Sequence, residues 1–192
     1  MEILIFAETD DKGNLKKDAY EIASYASEIS SENGGNVNAL CFNASNAESL
    51  SDYGVDKIIN SKNEELKNFD PSNYSKCITE VFNNEECNLL VLSSSSNSKH
   101  IGGMLSVLTD SSYVTNVISK LTNGEKMTVV RNTFTNKAFE TVEINKNKII
   151  LAISKNSFGL KEKPVKSEVV EINFNITESR NKVKSIDRAT NK

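Results

Sequence analysis

The sequence is poor in the groups that most often announce chemistry. There are three cysteines and one histidine. Cys41, Cys77 and Cys87 are scattered, with no CxxC pair and no His/Cys cluster at zinc-ligand spacing, which excludes the common structural zinc sites. They read instead as buried or half-buried free thiols in a reducing compartment. No apolar run approaches membrane-spanning length, so no membrane insertion is expected. Met1 leads straight into the apolar run 3–7 (ILIFA), followed by Glu8, Asp10 and Asp11. A signal peptide needs a basic start and a longer apolar core, so a cytoplasmic protein is expected. Charge of one sign is also missing. Lys and Arg number 23 against 26 Asp and Glu, a formal net charge of -3, which provides no basic field for nucleic acid. There is no internal repeat, no GxxxxGK[ST] loop, and no GxGxxG after 3–7. The length allows one domain, or one domain and a tail.

What is present is organised around 88–108, NLLVLSSSSNSKHIGGMLSVL. Leu89, Leu90, Val91 and Leu92 form an apolar run without polar alternation, which suits a strand covered on both faces in a parallel sheet. The run stops at four serines. A helical pattern resumes at Ile101, Met104, Leu105 and Leu108. The loop after such a strand lies at the carboxyl edge of the sheet, where open α/β proteins place ligands.

The rest of the chain supplies the context. Residues 3–7 read as a buried strand. A helix follows from about Lys16, with Ala19, Ile22, Ala23, Ala26 and Ile29 at helical spacing and Asn33-Gly34-Gly35 as its stop. Strands are expected at 37–42 and 57–60, with a short helical segment over 47–53 between them. Asp70-Pro71-Ser72 opens a helix with proline in the first turn, and Tyr74, Cys77, Ile78, Val81 and Phe82 give it one apolar stripe. This alternation is the βαβ signature of a parallel sheet. Residues 113–121 fit a helix or a strand. Strands at 127–134, 138–144 and 149–153, separated by short polar turns, read as an antiparallel meander. One more strand is expected at 169–174. The fold class is therefore α/β, a mostly parallel sheet flanked by helices with an antiparallel meander in the second half. Residues 177–192 read as a linker or tail.

Few residues stand out as a site. The loop over 94–100 fits an anion cradle, with Ser95, Ser96, Lys99 and His100 as its candidates, or a solvated loop whose serine caps the next helix. Catalysis by His100 would need an orienting acid and a nucleophile, and the sequence points to neither. No carboxylate pair or Ser/His/Asp order marks an active site, so no catalytic residue and no metal ligand are assigned. Glu8, Asp10 and Asp11 fit a cation site or a solvated turn, and no glycine-spaced calcium loop accompanies them. Arg131 fits pairing with a carboxylate such as Glu140 across the meander, or contact with a partner subunit. Gly102-Gly103 inside a helix calls for close packing against the sheet or the approach of another chain, since each costs about 1 kcal/mol relative to alanine.

Taken together, MEILIFAE, LSDYGVDKIINSKNEELKNFDPSNY, NLLVLSSSSNSKHIGGMLSVL, YVTNVISKL, VVRNTFTNKAFETVEI and IILAISKNSFG resemble, in order and spacing, the N-terminal domain of the electron transfer flavoprotein alpha subunit. The resemblance covers roughly 1–174, and the domain it implies is expected to span 1–176. It departs at Gly102-Gly103-Met104, where the family has Ala-Pro-Arg, and at Thr115-Asn116-Val117, where it has Ser-Asp-Val. It implies a three-layer fold similar to adenine nucleotide alpha-hydrolases and universal stress proteins, with 113–121 as a strand. It also implies an electron carrier subunit rather than an enzyme. With a beta subunit, the carrier would take electrons on FAD from acyl-CoA and other dehydrogenases, as in fatty acid beta-oxidation, and deliver them to a quinone oxidoreductase. The resemblance places the FAD contacts in a C-terminal domain beyond 177–192, so none is expected on this chain. The alternative from another class is a small universal-stress-like module binding AMP or ATP at 94–100.

Overall fold

A computed structural model of the protein describes residues 1–179 and 183–185. Its centre is a set of short strands with every residue buried: β1 (Ile3–Phe6), β2 (Val37–Phe42), β4 (Leu89–Ser93) and β9 (Ile149–Ile153). Apolar runs, interrupted only by Asn38 in β2 and ended by Ser93 in β4, have little solvent face to offer, so they go where both faces are covered. β1 pairs in parallel with β2 on one side and β4 on the other. β3 (Lys57–Ser61) extends the sheet beyond β2, and β10 (Glu168–Glu171) pairs with β3 at that edge, both in parallel.

Helices cover both faces. α1 (Lys17–Asn33) buries Ala19, Ile22, Ala23, Ala26 and Ile29 against β1, β2 and β4. It ends at Gly34 (φ +73°), whose N–H caps the Ser30 carbonyl; a side chain on the following Gly35 would meet the Met1 carbonyl oxygen at 2.2 Å. On the other face lie α2 (Pro71–Asn84) and α3 (Ser96–Leu108). Asp70 caps α2 by accepting from the Asn73 N–H, and Pro71 occupies its first turn, where its lack of an N–H costs nothing. Cys77, Ile78, Val81 and Phe82 then pack on Leu4, Leu40, Leu90 and Ile150. Burying each such side chain is worth about 1.5–3 kcal/mol.

The second half departs from a simple meander. Residues 149–153 do not follow 138–144 as a third antiparallel strand; β9 inserts in parallel between β4 and β5 (Ser112–Val117). Its five buried residues, IILAI, have no alternation and so could not occupy a one-sided meander. The antiparallel part consists of β6 (Thr122–Asn123), β7 (Met127–Thr133) and β8 (Ala138–Ile144), with β7 joining β5 at Val117 and Arg131. β8 pairs with β7 and places Arg131 opposite Glu140, with 3.3 Å between Nε and the carboxylate. Residues 113–121 are a strand to Val117 with a register break at Asn116 (φ +56°), and irregular thereafter. The stripe expected on α3 is also only half inward. Ile101 and Leu105 are buried, while Met104 and Leu108 are exposed.

After β9 the chain crosses over α1 to reach β10 at the far edge. Backbone bonds from Lys163 to Asp52 and from Val165 to Ser51 hold this crossing down. Phe174 and Ile176 then turn onto the α2 side of the sheet, and Thr177 bonds to Asn73 and Lys76. The expected linker over 177–192 lies mostly outside the described residues.

Candidate functional site

The chain leaves β1 toward β2 and β3 on one side and later returns as β4 on the other. β1 and β4 are therefore neighbours whose connections diverge, and the crevice beyond their carboxyl ends is the place where open α/β sheets bind ligands. The loop after β1 begins Ala7-Glu8, and that after β4 is only Ser94-Ser95.

Glu8 is 6% exposed. Its Oε1 accepts hydrogen bonds from the hydroxyls of Ser98 (2.9 Å), Ser93 (3.4 Å) and Ser95, and its Oε2 accepts from Lys16 Nζ at 2.7 Å. A carboxylate withdrawn from water needs this compensation. The positive end of α3 adds to it, because Ser95 and Ser98 belong to that helix's cap and first turn. Ser95 works in two directions, donating to Glu8 while its oxygen accepts the Ser98 N–H at 3.0 Å as the helix cap. Phe6, Phe42 and Tyr74 close the neighbouring wall, with Phe42 and Tyr74 ring centres 4.7 Å apart and the Tyr74 hydroxyl bonded to the Leu66 carbonyl. With Asn97 and Glu8 they leave a cavity of about 20 Å³, room for roughly one water.

The open loop expected over 94–100 is thus shorter than the sequence suggested. α3 starts at Ser96 because Ser95 caps it, so Ser96, Lys99 and His100 are exposed helical residues. They hold no hydrogen bond to Glu8 among the described residues; of the four candidates only Ser95 reaches it. The grouping of Glu8 with Asp10 and Asp11 is corrected as well. Glu8 turns inward, whereas Asp10 closes the following turn by accepting the N–H groups of Asn14 and Lys12, which, Asn14 foremost, hold its carboxyl below the usual range against an opposing effect of desolvation. Composition and spacing named Glu8 only with Asp10 and Asp11, and missed that it meets the serines at the end of β4. The available signal was an acid directly after a buried strand, coupled with serines directly after a second strand predicted beside it.

Elsewhere a groove of about 630 Å³ lies between the start of α2, Met104 and Thr177–Ser179. It is lined by Asp70 and Glu178, with Lys76 as its cation, and Lys76 is bonded to Thr177. The cysteines are free and buried, and burial pushes each thiol up to about 12, so they are unreactive near neutrality. Among the described residues, no cluster of three or more His, Cys, Asp or Glu is placed to hold a metal, and no helix is long and apolar enough to cross a membrane.

The chain matches a known protein family. The model of a family described as the electron transfer flavoprotein domain fits residues 3–176. No curated protein matches the chain.

Proposed function

Since the chain belongs to the electron transfer flavoprotein domain family, we propose that it is the N-terminal scaffold domain of an alpha subunit. In this reading it pairs with a beta subunit, and the assembled carrier moves electrons from acyl-CoA and other dehydrogenases to a quinone oxidoreductase. The domain supplies shape and partner contacts and is not itself an enzyme. The observation that carries this reading is how the carboxyl end of β1 is filled: Glu8 takes the hydroxyls of Ser93, Ser95 and Ser98, and the cavity left beside it, lined by Phe6, Phe42, Tyr74 and Asn97, is about 20 Å³, where ligand pockets of about 300–1,000 Å³ are usual.

The groove of about 630 Å³ at the start of α2 does not suit FAD either. A pyrophosphate needs backbone N–H groups or free cations, and at the start of α2 the Asp70 carboxylate already takes the Asn73 N–H while Lys76 is bonded to Thr177. FAD would therefore be held by a flavin domain outside 1–176, and no electron-transfer step is assigned to residues of this chain. The same lack of space weighs against the alternative of an AMP- or ATP-binding module.

Co-expression with a beta subunit tests the proposal. The expected outcome is a colourless chain that co-purifies with its partner in equal amounts. A stoichiometric flavin spectrum on this chain alone, or heat from titration with millimolar AMP or ATP, would overturn it.

A further inference from the structure

We propose that Glu8 is a built-in plug, an internal oxyanion seated at the sheet's switch point where an external one would otherwise bind. Three features meet there. The position between β1 and β4 is the ligand-binding crevice of the topology. The group in it is a carboxylate, 6% exposed, that receives three serine hydroxyls from residues 93–98 and a lysine ammonium from Lys16, two separate segments of chain. And the space left beside it, walled by Phe42, Tyr74 and Asn97, is about 20 Å³. Hydroxyls and an ammonium converging on one point form a receptor for an oxyanion, and here the anion is supplied by the chain itself.

The economy of such a plug follows from effective concentration. A tethered carboxylate needs no association step and is present whenever the protein is folded, so free phosphates and nucleotides are excluded at any cellular level. The receptor is then a fold-stabilising contact that ties β1 to the start of α3. This holds whether or not the chain pairs with a partner subunit, so its failure and that of the proposed function are separable.

Removing the carboxylate while leaving the donors tests the idea. Thermal unfolding is followed for the wild type, Glu8→Ala and Glu8→Gln in sodium acetate, inorganic phosphate or AMP, each matched in ionic strength with sodium chloride. The wild type should be indifferent to all three beyond the chloride control. Glu8→Ala should unfold at lower temperature and recover saturably in acetate or phosphate, by about 3 °C at tenfold the dissociation constant. Glu8→Gln, which fills the space, should not respond. Adding Ser98→Ala to Glu8→Ala should weaken the recovery at least several-fold. If Glu8→Ala does not fold in chloride, its refolding yield in acetate against chloride becomes the readout. Equal behaviour of Glu8→Ala in all salts overturns the proposal, and so does AMP or phosphate binding by the wild type with chemical-shift changes at Ser93, Ser95 and Ser98.

Discussion

At the scale of single residues, Gly102 and Gly103 look alike in sequence and differ in space. A Cβ on Gly102 would lie 2.1 Å from Cζ and 2.3 Å from the hydroxyl oxygen of Tyr113, which packs beneath α3 from β5. A Cβ on Gly103 would meet nothing within 4 Å. Alanine gains about 1 kcal/mol over glycine in a helix interior, while overpacking costs about 1–3 kcal/mol. Urea unfolding should therefore find Gly103→Ala more stable by up to about 1 kcal/mol, and Gly102→Ala less stable by a similar amount or more. Combining Gly102→Ala with Tyr113→Ala should cost less than the sum of the two, because the clash partner is gone. Simple addition of the two effects would show that the ring is not what requires the glycine. The Tyr113 hydroxyl is buried with no hydrogen-bond partner among the described residues, so Tyr113→Phe should be neutral or mildly stabilising.

At the scale of elements, α1 acts as the anchor for the crossing that follows β9. The Glu21 carboxylate, itself buried, accepts the backbone N–H groups of Asn156 (2.9 Å), Phe158 (2.8 Å) and Gly159 (3.2 Å). One turn on, Ser24 accepts the Lys161 N–H, and two turns on Glu28 pairs with Lys120 and Lys161. Glu21→Ala removes the acceptor for three N–H groups, so it should cost about 2–3 kcal/mol and speed hydrogen exchange at 156–161 ahead of the central strands. Glu28 gives this junction a pH dependence. Partial burial would raise its carboxyl, but hydrogen bonds and charge from Lys120 and Lys161 outweigh it and hold the group below its usual 4.5. A carboxylate lowered in the folded state contributes its stability above the unfolded value, and that contribution is lost as pH falls through the folded one. Asp10, Asp70 and Asp110 are lowered too and act with the same sign. The urea midpoint should therefore drop as pH falls below about 4.5, and less steeply in Glu28→Gln. An unchanged slope in that variant would remove Glu28 from the account. Much of this level was legible beforehand. The continuous apolar runs of β1 and β4 announced strands buried on both faces, and the proline and aspartate at the start of α2 announced its cap. β9 carried the same signature, IILAI, but its nearness to the hairpin suggested a meander instead. Proximity in sequence outweighed the stronger cue, which was that an unalternating apolar strand needs cover on both faces.

At the scale of the whole molecule, what the sequence did not reveal was where separate loops meet. Glu8 and Ser95 are 87 residues apart, and only the adjacency of β1 and β4 brings them together. The belt from β9 over α1 to β10 is equally non-local. It ends with Phe174, 7% exposed and set edge-on to Phe42 with 6.0 Å between ring centres. Residues 169–174 were read as one strand, but pairing with β3 ends at Glu171, and Phe174 packs beyond the sheet edge as the belt's buckle. If that is its role, Phe174→Ala should destabilise the fold by about 3 kcal/mol, the lower part of the range for a phenylalanine lost from a core, because the site lies at the core's periphery. It should also make 168–179 the first segment cut in limited proteolysis, since β10 is held to the rest of the sheet through β3 alone. Val169→Ala, on an exposed position of the same edge strand, should change stability by less than about 0.5 kcal/mol. The contrast separates a belt fastened by one aromatic contact from one held along its length by β10 pairing. Equal losses for the two variants would favour the second, and in that case the ladder from Glu168 to Glu171 would be the true closure of the fold.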